Sequence, residues 1–150
     1  MLFRTSKSNK FLSKQETEQI MACVRANEAG TSGEIRICIE GHCSYMEPLH
    51  RAAEIFRNLK MYETEHRNAV LIYIAYKDQD FALYGDKAII EKTESVFWNE
   101  QSKKLALAFF KEEYVLGITS CVEAIGVILK TLFPLHGENK NELPDEIIFG

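Results

Sequence analysis

The chain has 150 residues, 46% of them hydrophobic and 27% charged, with a formal net charge of −4 and no long run of one sign. That length and composition fit one globular domain, large enough to hold together without disulfide or metal staples. Nothing in this charge balance points to the basic face that nucleic acid or an anionic membrane surface would require.

Residues 1–11 read as a flexible N-terminal segment. They are basic and polar and lack the apolar stretch of a secretory signal. Ser13 opens S-K-Q-E, a capping box with Glu16, so a helix begins there; Ile20, Met21 and Val24 form its inner face and Gly30 ends it. Glu34–Glu40 reads E-I-R-I-C-I-E, and the alternation of Ile35, Ile37 and Ile39 with polar residues predicts a strand. A loop over 41–46 leads to a helix over 47–60, with Pro48 in its first turn and Leu49, Ala52, Ile55, Phe56 and Leu59 facing inward.

Ala69–Tyr76 is a continuous apolar run, as expected of a central strand covered on both faces. A turn at 77–80 returns the chain through a strand at Phe81–Tyr84, making a hairpin. A short helical piece follows near Lys87–Lys92. Thr93 is expected to cap a helix through about Lys111, with Val96, Phe97, Leu105, Ala108 and Phe109 inside and Trp98 in the core. Val115–Phe133 is the most apolar stretch. Glu123 and Lys130 interrupt it, so it reads as a core helix and not a membrane span. The tail, 136–150, reads as loop-like, with Ile147, Ile148 and Phe149 docking on a domain that spans 12–135.

Cys23, Cys38, Cys43 and Cys121 form no C-x-x-C pair and read as reduced, mostly buried thiols. With His42 and His50 they match no common zinc spacing. The expectation is a cytoplasmic, monomeric protein with no membrane insertion and no nucleic-acid partner.

The order α-β-α-β-β-α-α implies a right-handed crossover between two parallel strands, extended by an antiparallel hairpin. The fold class is therefore α/β: a three-layer α/β/α sandwich with a small mixed sheet and helices on both faces. In that topology the N-terminal ends of the two parallel strands and the C-terminal end of the hairpin strand share one sheet edge. Glu34, Asn68 and Asp86 are brought there, with Arg67 beside them. An oxygen-rich loop cluster of this kind suits Ca²⁺ or Mg²⁺. Glu112 and Glu113, between the last two helices, add carboxylates if that junction reaches the same edge.

The segments T-S-G-E-I-R-I-C-I-E (31–40), F-R-N-L-K-M-Y-E-T-E-H-R-N-A-V-L-I-Y-I-A (56–75), Y-G-D-K-A-I (84–89), F-W (97–98), F-F-K-E-E-Y-V-L-G-I (109–118) and N-E-L-P-D-E-I (141–147) together resemble TPM-domain proteins, in particular small bacterial members consisting of the domain alone. The resemblance implies a three-layer sandwich, divalent-cation binding with Ca²⁺ included, and acid phosphatase activity in some members. It matches family acidic positions at Asp86, Glu113 and Glu34. Lys60, Ala69 and Ala88 stand where Gly is usual, and Asn99 where Asp is common.

Two functions follow from this reading. One is a cation-binding accessory module that meets an as yet unidentified protein partner. The other is a metal-dependent hydrolase, with Asp86 as ligand or nucleophile and Arg67 clamping phosphate. No Cys-x₅-Arg or P-loop signature is present to support the second.

Overall fold

The computed structural model describes residues 11–43, 45–137 and 142–150. The segment read as flexible, apart from Phe11, lies outside the described residues. The elements are α1 (Lys14–Glu28), β1 (Glu34–Glu40), α2 (Pro48–Asn58), β2 (Ala69–Ala75), β3 (Asp80–Gly85), α3 (Lys87–Lys92), α4 (Ser95–Phe110), α5 (Tyr114–Leu132) and β4 (Ile148–Phe149). The sheet order is β3-β2-β1-β4. β1 and β2 are parallel from Glu34↔Ala69 to Glu40↔Ala75, and β2 and β3 are antiparallel from Val70↔Gly85 to Ala75↔Asp80.

The alternation of each strand sorts its side chains onto two faces. Ile35, Ile37, Ile39, Val70, Ile72, Ile74 and Leu83 pack under α1, α4 and α5. Cys38, Leu71, Tyr73 and Ala82 pack under α2, with Ala52, Ile55 and Phe56. This is the three-layer sandwich with a mixed sheet. Its fourth strand comes from the tail: Cys38↔Ile148 and Ile39↔Phe149 pair in parallel, and Ile147 is also buried. Two residues carry no periodicity, so the sequence shows that the tail docks but not that it docks as a strand.

The start of α1 matches the sequence reading. Ser13 Oγ accepts from the Glu16 N–H (3.0 Å) and Glu16 Oε1 from the Ser13 N–H (2.8 Å). Three expectations need correction. Leu49 is exposed, because the inner face of α2 starts at Arg51 and Ala52. Val96 is exposed, and Phe97 and Trp98 are only half-buried. Thr93 does not cap α4; its hydroxyl donates to the Ile89 carbonyl (2.6 Å) and accepts from the Trp98 indole N–H (2.8 Å), and α4 starts after Glu94.

Among the described residues α5 alone is long and apolar enough to cross a membrane. It packs instead within the domain, burying seven residues from Gly117 to Leu129. Gly126 allows its close approach to α1, since a Cβ there would lie 2.8 Å from the Asn27 Cβ. Thr31 ties the far end of α5 to the start of β1. Its hydroxyl meets the Leu129 (2.9 Å) and Phe133 (2.5 Å) carbonyls and accepts the Gly33 N–H (3.0 Å).

Candidate functional site

The shared edge forms as the connectivity requires. The Glu34 N–H reaches the Asn68 carbonyl (3.5 Å), and the Asp86 N–H donates to the Ala69 carbonyl (3.0 Å). Within this edge the predicted site residues do not converge on one point.

Asp86 is buried and its carboxylate is fully engaged. Arg67 Nε and Nη2 donate to Oδ2 and Oδ1, both at 2.8 Å, and the Lys87 N–H donates to Oδ1 (2.7 Å), capping α3. Arg67 holds a left-handed backbone (φ 51), fixed by the Ala88 N–H on its carbonyl (3.1 Å). Such a conformation persists only where surrounding bonds over-determine it. The pair is thus a brace between the β2 entry loop and the start of α3.

Asn68 lies one residue out of phase with Glu34, given the Glu34↔Ala69 register, and so serves the opposite sheet face. Its Nδ2 donates to Ser32 Oγ (3.0 Å) and its Oδ1 meets no donor.

Glu34 points to the α2 side. It is 4% exposed; Oε1 accepts the Leu143 N–H (2.7 Å), whereas Oε2 is buried without a partner. The Thr64 hydroxyl, also buried without a partner, belongs to the loop that lies against the same tail, where the Glu65 N–H reaches both Glu142 oxygens (3.2 and 3.4 Å). Burial raises the Glu34 carboxyl to about 7, opposed by the Leu143 and Glu142 backbone N–H groups and aggravated by the Glu142 and Asp145 charges. Next to it Glu28 accepts the Ile35 N–H (2.7 Å) and is hydrogen-bonded to Asp145. Burial first, and then the Asp145 and Glu34 carboxylates, push Glu28 up to about 9, so it is protonated at neutral pH. Arg36, on the same strand, also faces Glu34, Asp145 and Glu146.

Glu112 and Glu113 lie at the other end of the sheet. α5 has 19 residues, about 28 Å of helix, and its C-terminal end meets the Thr31 loop through the Thr31↔Pro134 bridge. Its first residue, Tyr114, packs on Phe11, which stacks on Tyr76 beyond the C-terminal end of β2. The Glu112–Glu113 junction therefore does not reach the predicted edge. Glu112 has φ 60 and terminates α4: its N–H bonds to the Phe109 carbonyl and the Glu113 N–H to that of Ala108, a Schellman turn.

The charged cluster at that far end is internally satisfied. Glu40 accepts the Tyr73 hydroxyl (2.9 Å) and Arg51, and Arg51 also meets Glu54. Among the described residues no three His, Cys, Asp or Glu side chains gather as a metal-holding group. Sequence reasoning missed Thr64, Glu142, Glu28 and Asp145. The acidic tail motif 141–147 was the available signal, but only the fold shows that the tail lies across the start of β1.

A family model for the TPM domain matches residues 6–128. The chain belongs to the TPM-domain family. A similar solved structure is that of the BA42 protein from the psychrophilic bacterium Bizionia argentinensis, with a TM-score of 0.87 at 36% identity, covering 97% of this chain and 100% of that one. The N-terminal domain of the cg2496 protein from Corynebacterium glutamicum is similar in fold (TM-score 0.62, 11% identity, 85% and 88% covered). No curated protein matches the chain. The usual TPM glycine at position 60 now has a physical reason. Lys60 has φ 54 and closes α2 in another Schellman turn, its N–H on the Arg57 carbonyl and the Met61 N–H on that of Phe56.

Proposed function

We propose that this TPM domain is a binding module that takes one divalent cation, Ca²⁺ in preference to Mg²⁺, at Glu34, and that the cation fastens the tail across the β1 edge. The observation that carries this reading is the buried Glu34 Oε2, without a hydrogen-bond partner and in the field of the Glu142 carboxylate; the Thr64 hydroxyl, also unpartnered, belongs to the loop that Glu142 contacts. Glu34, Glu142 and Thr64 offer oxygens, and Ca²⁺ accepts six to eight of them in irregular array; the Arg36 guanidinium, which also faces Glu34, opposes the ion and keeps the site weak. Glu34 and Glu142 would supply charge, Thr64 a neutral oxygen, and water the remainder. Two carboxylates make a weak site, on the order of millimolar. Asp86 fits less well, because a cation there would have to displace Arg67.

The bound ion would supply positive charge where two carboxylates now face each other. It would thereby lower the Glu34 pKa and hold residues 142–149 on the sheet. As the proton on Glu34 is displaced, cation affinity should rise roughly tenfold per pH unit below about 7 and level off above it. A Ca²⁺ titration followed by amide NMR at pH 6 and pH 8 tests this. The expected shifts centre on Glu34, Thr64, Glu65 and Leu143, with tighter binding at pH 8. Shifts confined to Asp86 and Lys87, or no pH dependence, would sink the assignment. The cytoplasmic location and the hydrolase alternative stand as expectations of the sequence. The hydrolase reading needs Asp86 and Arg67 free for a phosphate, and the two satisfy each other.

A further inference from the structure

The two sheet edges are treated differently. On one side β1 is covered by β4, and the Glu28 carboxyl takes up the Ile35 N–H that β4 is too short to reach. On the other side β3 pairs with β2 alone, and among the described residues no strand lies beyond it. The Asp86 N–H bond to the Ala69 carbonyl fixes the phase of the ladder. In an antiparallel pair alternate residues turn their backbone toward the partner strand. Asp80, Ala82 and Tyr84 therefore face β2, while the N–H and C=O groups of Phe81, Leu83 and Gly85 face outward.

Edge strands are usually blunted by lysine, proline, a bulge or a covering element. D-F-A-L-Y-G contains no lysine and no proline, and its register with β2 is unbroken over six residues. A groove of about 420 Å³ runs along this edge. It is walled by α2 through Leu49 on one face and by Ile89, Ile90, Trp98 and Ser102 on the other. Leu49 and Ile90 are 52% and 65% exposed.

We propose that the β3 edge is a docking site for an extended segment of a partner protein, which adds a fifth strand and places alternate apolar side chains in this groove. The outward backbone groups dictate the extended form of the occupant. The walls on both faces dictate its side chains: an apolar residue against Leu49, the next against Ile90 and Trp98, and so on in alternation. No cation is needed, so this site is separate from the one at Glu34.

The test uses the full chain in chelator, immobilised against a displayed library of random eight-residue peptides. The expected result is enrichment of peptides with alternating apolar residues. When synthesised, these should slow hydrogen exchange at the Phe81, Leu83 and Gly85 amides by roughly tenfold or more. Methylating alternate peptide backbone nitrogens should abolish binding. Leu49→Glu and Ile90→Glu, both at exposed positions, should each weaken it roughly tenfold or more without loss of fold. The proposal is overturned by no enrichment over a blank surface, by peptides that bind elsewhere, or by retention of binding after methylation. It is equally overturned if the three amides are already protected in a concentration-dependent manner without peptide, since the edge would then pair with a second copy of the chain.

Discussion

Glu28 offers a quantitative check on the tail contact. Its carboxyl sits at about 9 in the fold against an ordinary 4.5. A group raised in this way contributes its full stability below pH 4.5 and loses it as pH climbs through 9. Each pH unit in that window costs about 1.4 kcal/mol, so at pH 7 Glu28 works against the fold by on the order of 3 kcal/mol. Glu28→Gln mimics the protonated acid. Its carbonyl still accepts the Ile35 N–H, and its amide donates to Asp145. The variant should match wild type near pH 4.5 and exceed it at pH 7 to 8, by up to that amount. Urea unfolding at the two pH values, with Asp145, Glu34, Glu142, Glu146 and Arg36 unchanged, measures the difference. A variant less stable than wild type at both pH values would refute the buried carboxyl pair.

Lys60→Gly and Glu112→Gly should each raise stability by about 0.5–1 kcal/mol, because each replaces a side chain in the left-handed region at a Schellman turn; thermal unfolding reads this directly. If Glu112 were instead a metal ligand, its glycine variant would lose cation response. Asp86→Ala should lower stability by about 1–2 kcal/mol through loss of the α3 cap and the Arg67 brace. It should leave the Ca²⁺ response intact, and a Tm series with and without Ca²⁺ checks both. Thr31→Val should cost about 1–3 kcal/mol in urea unfolding, since it strands the Gly33 N–H.

Much of the fold was legible because its signals are periodic. The isoleucine alternation of β1, the apolar run of β2 and the S-K-Q-E box each specify one local structure. The crossover rule then places Glu34, Asn68 and Asp86 at one edge. The site was less legible, because being at one edge does not mean pointing to one place. Asn68 and Glu34 belong to opposite faces, and Asp86 is consumed by its own helix cap and by Arg67. Glu113 could have been excluded by length: a helix as long as α5 spans the sheet, so its start and its Thr31-bound end cannot share an edge. Glu28 lies off the apolar stripe of its helix and gives no signal in the sequence; the fold sets it against the Ile35 N–H and Asp145 of the returning tail. Leu49 and Val96 follow helical periodicity, but the first turns of α2 and α4 extend past the core they serve.

Glu34 is the residue on which a cation site at this edge depends. The most direct measurement is the Tm of wild type and Glu34→Gln at pH 8, in chelator and in Ca²⁺ at about ten times a millimolar dissociation constant. Binding at that level stabilises by about 1.4 kcal/mol, a rise of roughly 3–5 °C for a domain of this size. That rise is expected in wild type and not in Glu34→Gln, whose Tm in chelator should equal or exceed wild type because the buried charge is gone. An equal rise in both proteins, or none in wild type, would contradict a cation site at Glu34.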